Sequence, residues 1–129
     1  MAAPNNWEDF RVLFAELAHA AGARVPQRFG GEAEDLYCFP TIGKRTIAED
    51  LGEAKFITIM ETIFSDNTAA RRRVVASAKE YFARLAAGEK LTQRQAKDAW
   101  KSALAKPGRS KENAEAAVVW GLAAMLVEE

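Results

Sequence analysis

The chain predicts an all-α fold, a compact single-domain bundle of about five helices with a long irregular segment between the first and the second. Three observations carry this. Apolar residues recur at three- and four-residue spacing through most of the chain. Capping residues and glycines punctuate those stretches. Only one run, Phe56 to Phe64, has strand-like β-branched content, and no second run exists to pair with it, so a strand there would leave its backbone groups unsatisfied. It is read as a helix. At 129 residues the chain fits one domain able to close its own core.

The first predicted helix covers 6–21. Asn5 and Asn6 precede Trp7-Glu8-Asp9, an asparagine cap with carboxylates set against the positive end of the helix dipole. Trp7, Phe10, Phe14, Leu17, Ala18 and Ala21 form its apolar face, and it ends near Gly22. Residues 22–45 hold four glycines and two prolines and read as a long loop. A loop of that length needs anchors to stay in a compact domain, and Phe29, Leu36, Tyr37 and Phe39 are the candidates. A second helix is expected over 46–64, weakened at Gly52. Ser65-Asp66-Asn67-Thr68 then ends one helix and caps the next.

The third helix, 68–87, places Val75, Ala78, Phe82 and Leu85 on its core face and stops at Gly88. Thr92-Gln93-Arg94-Gln95 fits a capping box, with Leu91 positioned as a hydrophobic staple, and opens a fourth helix over 92–105. Its buried stripe is Ala96, Ala99, Trp100, Ala103 and Leu104, and Pro107-Gly108 terminates it. Ser110 caps a fifth helix over 111–127 with Ala114, Ala117, Val118, Gly121, Leu122 and Met125 inward, small residues that permit close helix approach.

Formal neutrality conceals a segregated charge layout. Residues 67–111 carry twelve Lys/Arg against Glu80, Glu89 and Asp98, balanced by −5 over 1–66 and −4 over 112–129. A positive field of this kind attracts phosphate backbones or acidic protein surfaces. Two clusters stand out. Lys90, Arg94, Lys97 and Lys101 fall at spacings of four, three and four along one side of the fourth helix, a basic ridge in which each cation can neutralise a phosphate and release counterions. A solvated helix face is the plainer account of the same pattern. Arg71, Arg72 and Arg73 are separated by about 100° each and fan around the third helix. In a first turn each costs about 0.3–1 kcal/mol against the dipole. Asp66 or Glu61 would offset this from within the chain, and a bound anion from outside. Lys79 extends the same basic surface.

Ile47-Ala48-Glu49-Asp50-Leu51-Gly52 resembles the first helix and turn of helix-turn-helix DNA readers, which would imply a recognition helix from about residue 53. The chain departs from that pattern at Glu53, where an apolar residue belongs, and Phe56 to Phe64 is too apolar to lie in a major groove. Gly43-Lys44-Arg45-Thr46 lacks the first glycine of a phosphate-binding loop, its place being taken by Cys38. His19, expected half-buried on the first helix, and Cys38 do not make a zinc site. No nucleophile motif occurs, and paired carboxylates such as Glu34 and Asp35 show no sign of desolvation, so no enzyme activity and no cofactor are expected. No run approaches the roughly 20 apolar residues of a bilayer span. A lone cysteine and an N-terminus without a signal-peptide pattern favour the reducing cytoplasm.

The expected function is that of a small non-enzymatic helical module contacting nucleic-acid backbone, without sequence specificity, through Arg71, Arg72, Arg73, Lys79, Lys90, Arg94, Lys97 and Lys101, as a subunit or regulator of a nucleoprotein complex. The alternative is an inhibitor or assembly adaptor whose basic face meets an acidic protein surface, or the acidic half of a second copy.

Overall fold

The computed structural model describes residues 7–25, 45–89, 111–125 and 127. Within them the chain is helical: α1 (Trp7–Ala20), α2 (Ile47–Leu51), α3 (Glu53–Ile63), α4 (Thr68–Ala86) and α5 (Lys111–Ala123). Residues 26–44 of the loop predicted over 22–45, with Cys38 and the aromatic anchors, and the predicted helix over 92–105, with Trp100, lie outside the described residues.

The helix ends follow from local chemistry. Around Gly22 (φ +94°) the amide of Ala23 reaches back to the Ala18 carbonyl at 2.9 Å, the six-to-one bond that closes a helix C-terminus. From α3, Lys55 Nζ donates to the Ala21 carbonyl at 3.2 Å. Thr46 caps α2 in a full capping box: its hydroxyl accepts from the Glu49 amide, and the Glu49 carboxylate accepts from the Thr46 amide. Asn67 Oδ1 accepts from the Ala70 amide and starts α4. Gly88 (φ +85°) ends it, with Glu89 N–H on the Arg84 carbonyl at 3.0 Å.

The stretch expected as one helix over 46–64 is two. Gly52, at φ +82° and ψ 165°, is at once the C-cap of α2 and the N-cap of α3. That backbone region is open essentially to glycine alone, so the residue read from sequence as a weak point is a corner. The Phe56 to Phe64 run is helical, as expected. Its Phe56, Ile59, Met60 and Ile63 are buried in the core.

α4 lies between α3 and α5, α1 packs on the other side of α3, and α2 touches both α3 and α5. A chain of aromatic rings runs through these layers. Phe14 of α1 meets Phe56 of α3 at 5.7 Å between centroids, and Phe56 meets Phe82 of α4 at 5.8 Å. Phe82 meets its neighbour Tyr81 at 5.8 Å, and Tyr81 meets Trp120 of α5 at 5.7 Å. All four contacts are edge-on, the arrangement favoured by ring quadrupoles. The chain after α5 turns back to residues 45–47: Ile47 N–H donates to the Met125 carbonyl at 2.6 Å, and Val127 N–H to the Arg45 carbonyl at 3.1 Å. The predicted fifth helix therefore ends at Ala123 rather than 127, because its last backbone groups pair with the start of α2 instead.

Three expectations about faces are corrected. α4 buries Ala70, Val74, Ala78 and Tyr81, with Phe82 and Leu85 half-buried and Val75 at the margin. Helices on both flanks rotate its buried centre one residue back from the predicted Val75 line. Val119, absent from the predicted face of α5, is fully buried, and Trp120 is half-buried. His19 is exposed rather than half-buried, since Phe10, Phe14, Ala15 and Ala18 set the inward face of α1 and His19 falls beyond it.

Two predictions follow from this packing. A Cβ at position 52 would meet nothing within 4 Å, so Gly52→Ala tests backbone strain alone; it should lower unfolding free energy by roughly 1–3 kcal/mol in urea denaturation. Tyr81 is 2% exposed. Burial, reinforced by the Glu49 carboxylate and opposed by a hydrogen bond with the Thr46 side chain, pushes its phenol up from the ordinary 10.0 to about 12. The unfolded chain then releases this proton first, so the stabilising contribution is complete below pH 10 and is lost as pH rises through 12. Melting curves across this range should show that Tyr81→Phe falls less steeply with pH than the parent.

Candidate functional site

The cations of α4 divide by what the neighbouring helices offer them. Arg73 points toward α5 and forms a two-pronged pair with Glu115, Nε to Oε2 at 2.7 Å and Nη2 to Oε1 at 3.2 Å. Arg84, near the other end of the same side, pairs with Glu80 at 3.2 Å and lies over the Trp120 ring at 4.8 Å from its centroid. Arg71 turns toward the end of α3, where its Nη1 donates to the Ser65 carbonyl at 3.1 Å. Arg72 and Lys79 are exposed, and neither has an ion-pair partner among the described residues.

Arg71, Arg72 and Lys79 share a shallow groove of about 270 Å³ with Val75 and Ala76 of α4 and Glu61 of α3. The helical spacing explains the grouping. Residues 72, 76 and 79, like 71, 75 and 79, recur at three- or four-residue steps and so lie on one face. That face is the part of α4 left uncovered beside α3. Arg72 and Lys79 stand two turns apart, about 10 Å along the axis, with Val75 and Ala76 as the floor between them. Glu61 supplies the one carboxylate in the lining.

Of the eight cations expected to form one basic surface, the structure thus brings together Arg71, Arg72 and Lys79. It turns Arg73 onto α5. Lys90, Arg94, Lys97 and Lys101 lie outside the described residues. In the sequence Glu61 is legible only as a counter-ion for the arginines. Nothing at three- or four-residue spacing within one helix places it in the groove, because it arrives from a neighbouring helix. Glu115 was equally invisible as the partner of Arg73, forty-two positions away.

A second concavity of about 370 Å³ lies between α1 and α3, lined by Leu17, Ala20, Ala21, Ala54, Lys55, Thr58, Ile59 and Thr62. Its wall is mainly apolar, and its one charged lining residue, Lys55, is engaged with the end of α1. Among the described residues, no three His, Cys, Asp or Glu side chains gather to hold a metal ion, and no helix is long and apolar enough to cross a membrane. Comparison with known proteins found no family model, no curated protein and no solved structure that matches the chain.

The Arg73–Glu115 pair is expected to hold α5 on α4 rather than to contact a partner. Arg73 is 34% and Glu115 14% exposed, so solvent screens part of the attraction. A double-mutant cycle with Arg73→Ala and Glu115→Ala should give a coupling of about 0.5–1 kcal/mol, diminishing in high salt. Zero coupling would show that α5 is held by its apolar contacts alone.

Proposed function

We propose that the chain is a small non-enzymatic helical module that binds nucleic-acid backbone through the outward face of α4. The carrying observation is the exposed pair Arg72 and Lys79, two turns apart and without ion-pair partners among the described residues, in a helix whose Arg73 and Arg84 are already matched to acids. Two cations at that separation suit successive contacts along a phosphate backbone. Such contacts position a strand without reading its sequence. Arg71, at the head of the groove, adds a third positive group, and Lys90, Arg94, Lys97 and Lys101 extend the proposed surface beyond the described residues. A reducing cytoplasmic setting fits the single cysteine.

The second reading, an adaptor or inhibitor that meets an acidic protein surface or the acidic half of another copy, draws support from one feature. Glu61 repels a phosphate inside the groove, whereas a protein of mixed charge can answer both signs.

Arg72→Glu combined with Lys79→Glu separates the two. Both side chains are exposed, so the fold and its melting temperature should be retained. A gel shift with an unrelated single-stranded oligonucleotide should weaken for every sequence tried. The log–log dependence on salt should flatten by about 1.5, at roughly 0.7–0.9 per lost phosphate contact. A parent protein that shifts no oligonucleotide at low salt moves the conclusion to the acidic-protein reading, for which the same variant should slow association.

A further inference from the structure

A pure phosphate track has no use for Glu61. The groove places this exposed carboxylate on the α3 wall, facing a lining that otherwise holds Arg71, Arg72 and Lys79 and an apolar floor of Val75 and Ala76. Two short apolar side chains leave room above them, and at about 270 Å³ the space is smaller than the pockets that take drug-sized ligands. It suits one flat group. An unpaired nucleic-acid base is such a group: it can lie on an apolar floor, stack on an arginine plane and present its edge to one wall. The wall it would face here carries an acceptor.

We infer that the groove seats a single unpaired base with its sugar-phosphate flanks on Arg72 and Lys79, and that Glu61 selects bases bearing an exocyclic amino group. The inference rests on the nucleic-acid reading above and deepens it from backbone contact to a base preference. An ionised carboxylate only accepts hydrogen bonds. Cytosine offers N4–H₂ as a donor, a pairing that Asp and Glu make with this base. Uracil carries a carbonyl at the same ring position, so an acceptor would meet an acceptor and both would lose their water. The same logic explains how an acid can belong in a phosphate-binding groove. Glu61 lowers affinity for phosphate in general while favouring strands that can donate to it, so selectivity is gained from a repulsive element. A duplex is excluded, because its stacked bases cannot enter the groove.

The test uses the full chain and two single-stranded homo-oligomers of equal length, one of dC and one of dU, whose bases differ in the amino or carbonyl group at ring position 4 and in the proton that uracil carries on N3. At low salt the parent should bind the dC strand roughly five- to tenfold more tightly, the range of one charge-assisted hydrogen bond partly screened by solvent. Glu61→Gln should erase the preference without weakening dC binding, because an amide donates as readily as it accepts and removes the repulsion of phosphate. Arg72→Ala should weaken both strands alike and leave the preference intact, and circular dichroism on each variant confirms a shared fold. Equal binding of dC and dU by the parent, with both lost on charge reversal at Arg72 and Lys79, overturns the base site and leaves the backbone reading standing. A dC preference that survives Glu61→Gln also overturns it, since some other residue then reads the base. Failure of the parent to bind either strand removes the nucleic-acid reading and this inference together.

Discussion

The burial of α4 between two helices is the constraint on which the rest of this structure depends. Tyr81 and Phe82, adjacent in sequence, point to opposite neighbours: one ring meets Trp120 of α5, the other Phe56 of α3. Tyr81 also reaches the Thr46 side chain, so the residue that starts α2 belongs to the same cluster. A large buried aromatic contributes several kcal/mol when deleted from a core, and here consecutive rings tie α1, α3, α4 and α5 into one seam. The paired backbone of residues 45–47 with Met125 and Val127 completes it, fastening the chain beyond α5 to the start of α2.

Once both flanks of α4 are covered, the fate of each of its cations follows from its angle around the helix. Of those directed at α5, Arg73 is neutralised by its Glu115, whereas Arg84 pairs with Glu80 of α4 itself and meets only the Trp120 ring from α5. The arginine nearest the turn from α3 serves that turn, since Arg71 satisfies the Ser65 carbonyl. Only the side facing neither helix presents charge outward. A run of three arginines therefore performs three different tasks, and treating it as one basic patch overstates the free charge. Of the three arginines only Arg71 stands in the first turn of α4, and the Ser65 carbonyl answers it; Arg73, in the next turn, meets a carboxylate. Arg72, between them, faces solvent.

That division also shapes what the groove can bind. A site composed of lysine and arginine alone would attract any polyanion, with affinity set by salt. In the proposed site, a carboxylate on a separate helix would make the geometry between α3 and α4 part of the recognition, because Phe56 of α3 and Val74 and Ala78 of α4 belong to one buried core.

What the amino-acid sequence determined by itself was everything governed by near neighbours. Apolar spacing and the want of a second strand-like run made the chain helical. Asn67, Gly22 and Gly88 marked helix ends that the structure keeps, because a cap is a bond between residues three to five positions apart. The basic character of α4 was legible for the same reason. What only the tertiary structure decided was orientation and partnership. Gly52 could be read as a weak point, yet whether a glycine merely weakens a helix or turns it depends on what lies on either side. The buried line of α4 through Val74, the complete burial of Val119 and the exposure of His19 depend on which neighbours cover which faces. The pairing of Arg73 with Glu115 and the meeting of Glu61 with Arg72 and Lys79 join helices distant in sequence or set by a corner. A local pattern specifies how a helix forms, but the partner of an exposed charge is chosen by the rotation of one helix against another, and that rotation is settled by the core.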